Sequence, residues 1–340
     1  MKIFKKVLCL NILFFTSLMA TSSPIIEAEV AVKLVNHKGV KFIAAEEDSL
    51  GIKGAVVMDV EALYGYTTTG VSLCPPFYSC PNRVKKYIES LGINNDDELI
   101  IYDKSYGISA ATLYSIFETV GHKNIKILNG GYAQIQKLDP NQKSYDEYSA
   151  DLNKIKGLLK TEESAALIEK HKSDIKSLKK ILLVLKPLLL IEAVKSLEVN
   201  RSSYTMNNEQ FNLKYLVGKS ALSQAVETLY KERDESNITI VDSCNMIDIV
   251  GNKNGSYLPG VTSIHWKRLV DSKKQGLKSK ELLAKIFENA GLNSKKSTYL
   301  YCMAGSEKSF YLQMALRLAG YDNVKVFAGN WDVWTGDEHE

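Results

Sequence analysis

The sequence predicts an α/β protein of two similar halves, each a mainly parallel sheet flanked by helices, with an α-helical insert between them. Three observations carry this prediction. Strand-like and helix-like segments alternate in the same order twice along the chain. The strand segments are continuous apolar runs, the pattern of parallel strands covered on both faces. Between the two repeats lies a stretch of different texture, rich in Lys, Glu and Leu.

The chain opens on Lys2, Lys5 and Lys6, then an apolar run from Val7 to Met19 and the small residue Ala20. That is the pattern of a secretory signal over residues 1–20, and it predicts a periplasmic or secreted protein. The apolar run is short for a membrane span. Without those three lysines the formal charge of +4 falls to about +1. A charge so weak and dispersed argues against a nucleic-acid partner.

Residues 21–150 form the first half. Val40-Lys41-Phe42-Ile43 reads as a strand, followed by the turn Gly51-Ile52-Lys53-Gly54-Ala55-Val56. A helix is predicted over Arg83 to Leu91, a buried strand over Glu98 to Tyr102, a helix over Ala110 to Val120 and a strand over Asn124 to Leu128. In the second half, residues 216–340, the order recurs. Ile238 to Val241 is a strand, Leu258-Pro259-Gly260-Val261 a turn, Lys280 to Ala290 a helix, and Thr298 to Tyr301 a buried strand. Phe310 to Ala319 is an amphipathic helix and Asn323 to Phe327 the last strand.

Residues 151–215 read as helical insert and linker. Ile168, His171, Ile175, Leu178, Leu182, Leu185 and Leu189 step by three and four, a heptad stripe. Pro187 divides the helix. The stripe fits packing on the rest of the chain, a homodimer or a protein partner. His171 fits the edge of that stripe better than a ligand role. Arg201 to Asn212 is polar and reads as a linker.

Cys302 ends a strand, a short loop with Gly305 follows, and a helix begins at once. Ligands of such sheets sit beyond the strand C-termini. The amides of Met303, Ala304, Gly305, Ser306, Glu307 and Lys308, backed by a helix N-terminus, form a cradle for an anion on the cysteine. The same field lowers the thiol pKa and supplies a thiolate nucleophile. Cys302 is therefore the candidate catalytic residue. Those six loop residues are candidate substrate-binding residues, and Asp242 and Cys244, at the end of another strand, join them on what the family resemblance given below implies about that strand end. Asp242 reads as an orienting hydrogen-bond acceptor. Cys244 has two readings: a small buried apolar side chain, or a thiol that takes sulfur from Cys302 or locks it in a disulfide. Cys74 and Cys80 either close a small loop or stay unpaired, and a metal site lacks further ligands nearby. Cys9 falls within the signal.

Several segments together resemble the rhodanese family in its tandem-domain form, the thiosulfate and 3-mercaptopyruvate sulfurtransferases. Tyr257-Leu258-Pro259-Gly260-Val261 and Gly51-Ile52-Lys53-Gly54-Ala55 resemble its "H-I-P-G-A" turn. Gly329-Asn330-Trp331-Asp332-Val333-Trp334 resembles its closing "G-x-W-x-x-W". Tyr301-Cys302-Met303-Ala304-Gly305-Ser306 resembles its active "Y-C-x-x-G-x" loop. Gly121-His122-Lys123-Asn124-Ile125 and Gly320-Tyr321-Asp322-Asn323-Val324 resemble its "G-(H/Y)-x-N-V" strand entry. The resemblance implies two rhodanese-like domains, the first inactive because Asp103 stands where the nucleophile would be. It implies a Cys302 persulfide, a small sulfur donor, a thiol or cyanide acceptor, and no cofactor. Three positions depart from the pattern: Met303 where arginine is frequent, Glu307 where arginine or threonine is frequent, and Cys244 where "V-D-x-R" places arginine. An acidic Glu307 at the mouth should repel thiosulfate.

Two other functions fit parts of the pattern. A sulfur carrier or scaffold would load Cys302 and hand its sulfur to a docked partner. A cysteine phosphatase would need arginine at the place of Lys308, because lysine cannot form the bidentate fork to phosphate.

Overall fold

The computed structural model describes residues 23–46, 48, 50–60, 63, 80–193, 199–206, 212–244, 258, 260–302, 306–329 and 333–334. The first half opens with strand β1 (Ile25–Ile26) and the one-turn helix α1 (Ala28–Ala31). Strands β2 (Val40–Ala44), β3 (Leu50–Ile52) and β4 (Val56–Val57) follow. Next come helix α2 (Pro81–Ser90), strand β5 (Glu98–Tyr102), helix α3 (Ile108–Thr119), strand β6 (Ile125–Leu128) and helix α4 (Gly131–Leu138). The insert supplies helices α5 (Pro140–Leu159) and α6 (Ala165–Leu185) and strand β7 (Ile191–Ala193). The second half contains strand β8 (Leu216–Val217), helix α7 (Lys219–Glu232), and strands β9 (Ile238–Asp242), β10 (Thr262–Ser263), β11 (Val270–Asp271) and β12 (Gly276–Leu277). Helix α8 (Lys280–Asn289), strand β13 (Ser297–Tyr301), helix α9 (Glu307–Leu318) and strand β14 (Val324–Phe327) complete it.

The two main sheets have the same design. Their strand orders are β1-β6-β5-β2-β4 and β8-β14-β13-β9-β10, and every neighbouring pair is parallel. β5, α3 and β6 start at 98, 108 and 125, while β13, α9 and β14 start at 297, 307 and 324. One offset of 199 residues therefore relates the central parts of the two halves. The turns carrying Gly54 and Gly260 match as well. Both glycines adopt left-handed φ, +73° and +76°, which a side chain would disfavour.

Helices α3 and α9 pack on each other across the junction of the halves. Nine of the 12 residues of α3 and the run Ser309 to Leu316 of α9 are buried. The amphipathic pattern expected of α9 is thus replaced by burial on all sides: one face meets its own sheet and the other meets α3. The largest core cluster contains residues from both halves, including Phe117 and Leu113 of α3 and Phe310 and Met314 of α9. At the far end of the helix pair, Arg317 donates two hydrogen bonds to the Glu118 carboxylate, at 2.8 and 2.9 Å.

The insert begins at Pro140, earlier than the expected boundary at residue 151. Buried Asp139 caps α5 by accepting from Asn141 N at 2.9 Å and also accepts from Leu190 N at 2.7 Å. One carboxylate therefore ties both ends of the insert to the first half. β7 adds to this by pairing antiparallel with β3. α6 ends at Leu185, just before Pro187. It packs along α5, and Ile168, His171, Ile175, Leu178, Leu182 and Leu185 of the stripe are half-buried. Among the described residues, no helix is long and apolar enough to cross a membrane.

Residues 199–206 are not a free linker. Tyr204 and Met206 are buried in the shared core. The Tyr204 hydroxyl lies 2.8 Å from His122 Nδ1, and His122 Nε2 lies 2.9 Å from the Asp97 carbonyl. A carbonyl only accepts, so Nε2–H donates and Nδ1 accepts from Tyr204. Burial pushes the His122 pKa below its ordinary value, which favours this neutral form.

Candidate functional site

The site is built where β9 and β13 run side by side. Asp242 and Tyr301 are register partners at the ends of these strands. Cys302 follows β13 directly, and Cys244 lies two residues beyond Asp242. Neighbouring strands are about 4.8 Å apart, so residues just past aligned strand ends stay within disulfide reach. The Cys244 and Cys302 Cα atoms are 5.0 Å apart and the two side chains form a disulfide.

Short hydrogen bonds fix this arrangement. Asp242 Oδ1 accepts from Cys244 N at 2.8 Å, which turns the chain after β9 so that Cys244 faces Cys302. Asp242 thus acts as an acceptor for the main chain at this strand end. Ser243 N donates to the Tyr301 carbonyl at 3.0 Å, extending the parallel ladder by one step. The Ser243 hydroxyl donates to the same carbonyl at 3.1 Å, which leaves Ser309 to donate to Ser243 Oγ at 2.8 Å. Both serines are fully buried, so α9 is tied to the strand ends close to the loop that follows Cys302.

These contacts correct the expectation of a free thiolate and match the disulfide reading of Cys244. Cys302 is not a free thiolate: it is 0% exposed and bonded to Cys244, so a nucleophile exists only after reduction. Cys244 is buried, at 2% exposed, but it is not merely a small apolar side chain. Met303, Ala304 and Gly305 lie outside the described residues. Ser306 precedes α9, Glu307 is exposed in its first turn, and Lys308 is half-buried. Among the described residues no cluster of side chains could hold a metal ion. Cys80 is disulfide-bonded, and Cys74 lies outside the described residues, as do Trp331 and Tyr257.

The first half contains a twin of this site in which every part is described. Asp103 follows β5 as Cys302 follows β13, and Glu46 lies two residues beyond β2 as Cys244 does beyond β9. Asp103 is buried. Its carboxylate accepts from Gly107 N at 3.1 Å and Ala110 N at 3.4 Å, donors from the loop and first turn of α3. The Glu46 carboxylate accepts from Lys104 N and the Ser109 hydroxyl, both at 3.2 Å. A pair of carboxyl groups therefore stands where the second half has a pair of sulfurs. Sequence reasoning noted Asp103 but missed Glu46, Ser243 and Ser309, because their roles depend on which strands are neighbours.

Burial, reinforced by the Glu46 charge and opposed by the Ala110 and Gly107 amides, raises the Asp103 pKa from 3.8 to about 7. Between those values the folded protein keeps a proton that the unfolded chain has lost. Stability should therefore fall as pH rises from about 4 to about 7. Asp103→Asn mimics the protonated form. It is expected to flatten this dependence and to stabilise the protein at pH 8 by about 1–4 kcal/mol, read by thermal unfolding across pH. A melting temperature at pH 8 no higher than that of the wild type would contradict the assignment.

The hairpin of β11 and β12 closes over the first half's loop. Asn129 exchanges two hydrogen bonds with Leu277, accepting from its N at 2.7 Å and donating to its carbonyl at 3.3 Å. Tyr106 N donates to the Gln275 carbonyl at 2.6 Å. Gly276 admits no side chain, since a Cβ there would collide with Asn129. The hairpin thus covers the loop that follows the buried Asp103, while Glu46 stays exposed.

Comparison with known proteins finds the rhodanese-like domain twice, over residues 45–138 and 225–337. A Mycobacterium bovis protein provisionally named a thiosulfate sulfurtransferase is 23% identical over 320 residues, covering 92% of this chain and 95% of the relative. The 3-mercaptopyruvate sulfurtransferase of Escherichia coli is 24% identical over 290 residues, covering 83% of this chain and 79% of the relative. Among solved structures, SseA from Escherichia coli, a 3-mercaptopyruvate sulfotransferase, superposes with a TM-score of 0.62 at 21% identity. That match covers 91% of this chain and 99% of SseA.

Proposed function

The chain belongs to the rhodanese-like family, and on that premise we propose that it is a sulfurtransferase. It moves a sulfane sulfur from a small donor to a thiophilic acceptor through a persulfide on Cys302. The observation that carries this reading is the position of Cys302 between the end of a central parallel strand and the start of α9. The matching place in the first half holds a carboxyl side chain on two main-chain amides. By the same offset, the amides of Ser306 and Ser309 are the counterparts of those donors.

The proposed chemistry begins with reduction of the Cys244–Cys302 disulfide. The Cys302 thiolate attacks the outer sulfur of thiosulfate or the thiol sulfur of 3-mercaptopyruvate, and sulfite or the enolate of pyruvate leaves with the electrons of the broken S–S or C–S bond. The resulting persulfide anion is held by the loop amides, the residues Met303 to Lys308, and by the α9 N-terminus. A thiol or cyanide then attacks the outer sulfur and restores the thiolate. The relatives' names point to thiosulfate and 3-mercaptopyruvate as donors. The exposed Glu307 in the first turn of α9 disfavours the dianionic thiosulfate more than the singly charged 3-mercaptopyruvate. The signal-like residues 1–20 support a periplasmic or secreted location.

The test is thiocyanate formation from cyanide by dithiol-reduced protein, with each donor in turn. Turnover with 3-mercaptopyruvate above that with thiosulfate is expected. Activity on an aryl phosphate with none on either sulfur donor would replace this reading by a phosphatase. A stable persulfide with negligible thiocyanate turnover would replace it by a carrier protein.

A further inference from the structure

Resting on the sulfurtransferase reading, we propose that Cys244 is the resolving thiol of the reaction. It attacks the Cys302 sulfur of the persulfide, releases hydrosulfide, and leaves a Cys244–Cys302 disulfide that a dithiol reductant must reopen.

Three observations carry this. First, the two cysteines are within bonding reach without rearrangement of the sheet, since they are bonded across aligned strand ends. A group held this close competes with external thiols at a high effective concentration. Second, the position of Cys244 is actively set. Its amide is held by Asp242, and the intervening Ser243 is pinned to both Tyr301 and Ser309. Third, Cys302 is fully buried. An external acceptor meets the outer sulfur of a persulfide first, whereas Cys244 faces the inner one. The first half has Glu46 and Asp103 at the equivalent places, neither of which can do this chemistry.

The step balances. The Cys244 thiol and the Cys302 persulfide anion give one disulfide and one hydrosulfide ion. The S–S bond within the persulfide breaks as the Cys244–Cys302 bond forms. The thiol proton ends on the departing sulfur. That sulfur is reduced to the sulfide level while the two cysteines are oxidised to the disulfide. Reopening takes two electrons from a small or protein dithiol. A monothiol is a poor substitute, because the mixed disulfide it forms on one cysteine is reversed by attack of the other. A dithiol escapes by closing its own ring.

The experiment uses dithiol-reduced, desalted protein mixed with 3-mercaptopyruvate or thiosulfate and no acceptor. Hydrosulfide is measured, and intact mass is recorded after alkylation. Wild type should release up to one equivalent of hydrosulfide and finish with both cysteines protected from alkylation. Cys244→Ser and Cys244→Ala should stop with one extra sulfur on Cys302, with hydrosulfide release at least ~10-fold slower. Cyanide should strip that sulfur as thiocyanate. If wild type also stops at the persulfide, or if the variants release hydrosulfide as fast as wild type, Cys244 is not the resolving thiol and the transfer reading stands. If no form loads sulfur, both readings fall. The pair of variants guards against one of them failing to fold.

Discussion

Cys302→Ser should reduce thiocyanate formation by dithiol-reduced protein at least ~10³-fold in kcat/KM with either donor. A serine hydroxyl is not ionised at neutral pH and its oxygen cannot carry a sulfane sulfur. Every step of the proposed cycle passes through that one atom, so partial activity is not expected. The variant also loses the disulfide, which closes a loop spanning 58 residues. A closure of that size stabilises the oxidised protein by about 4 kcal/mol in the chain-entropy account. Activity must therefore be compared between reduced proteins, in which neither form has the bond. Retention of more than about a tenth of the activity would place the nucleophile elsewhere.

Glu118→Ala should destabilise the protein by about 2–4 kcal/mol, read as a lower midpoint in urea with an unchanged slope. The Glu118 and Arg317 side chains are only 17% and 18% exposed, and their bond is bidentate. Arg317 also lies over the Tyr215 ring at 4.2 Å. Removing the carboxylate leaves a largely desolvated guanidinium without its partner. Removing both groups, as in Glu118→Ala with Arg317→Met, should recover part of the loss. The two residues occupy matching positions of α3 and α9, so the pair joins the halves at the symmetric contact of their central helices. A loss under about 0.5 kcal/mol would mean that water already screens the pair.

Much of this architecture is legible in the chain because long apolar strands and their helices repeat in order. β5, β6, β13 and β14 fall within a residue of their expected starts, since a buried parallel strand is a continuous apolar run. The edge strands β1, β8 and β10 are two residues long, too short to show any period. α9 starts three residues before its apolar run, at Glu307, because the first turn lies at the surface. Burial of that helix on all sides is set by α3, nearly 200 residues earlier in the chain, and no local pattern encodes it. The site follows the same rule. Cys302 stands out locally, between a strand and a helix. Its partner Cys244 becomes legible only when β9 is known to be the neighbour of β13. The anchoring of Tyr204 by His122 turned a polar segment into part of the core, and that too is a long-range contact.

The central claim is that Cys302, once reduced, holds a second sulfur. Its most direct measurement is the intact mass of dithiol-reduced Cys244→Ser protein after exposure to 3-mercaptopyruvate, thiosulfate and polysulfide separately. The account predicts a gain of one sulfur atom that maps to the Cys302 peptide and disappears on adding cyanide. An unchanged mass with all three donors, in protein whose Cys302 is readily alkylated, would contradict it.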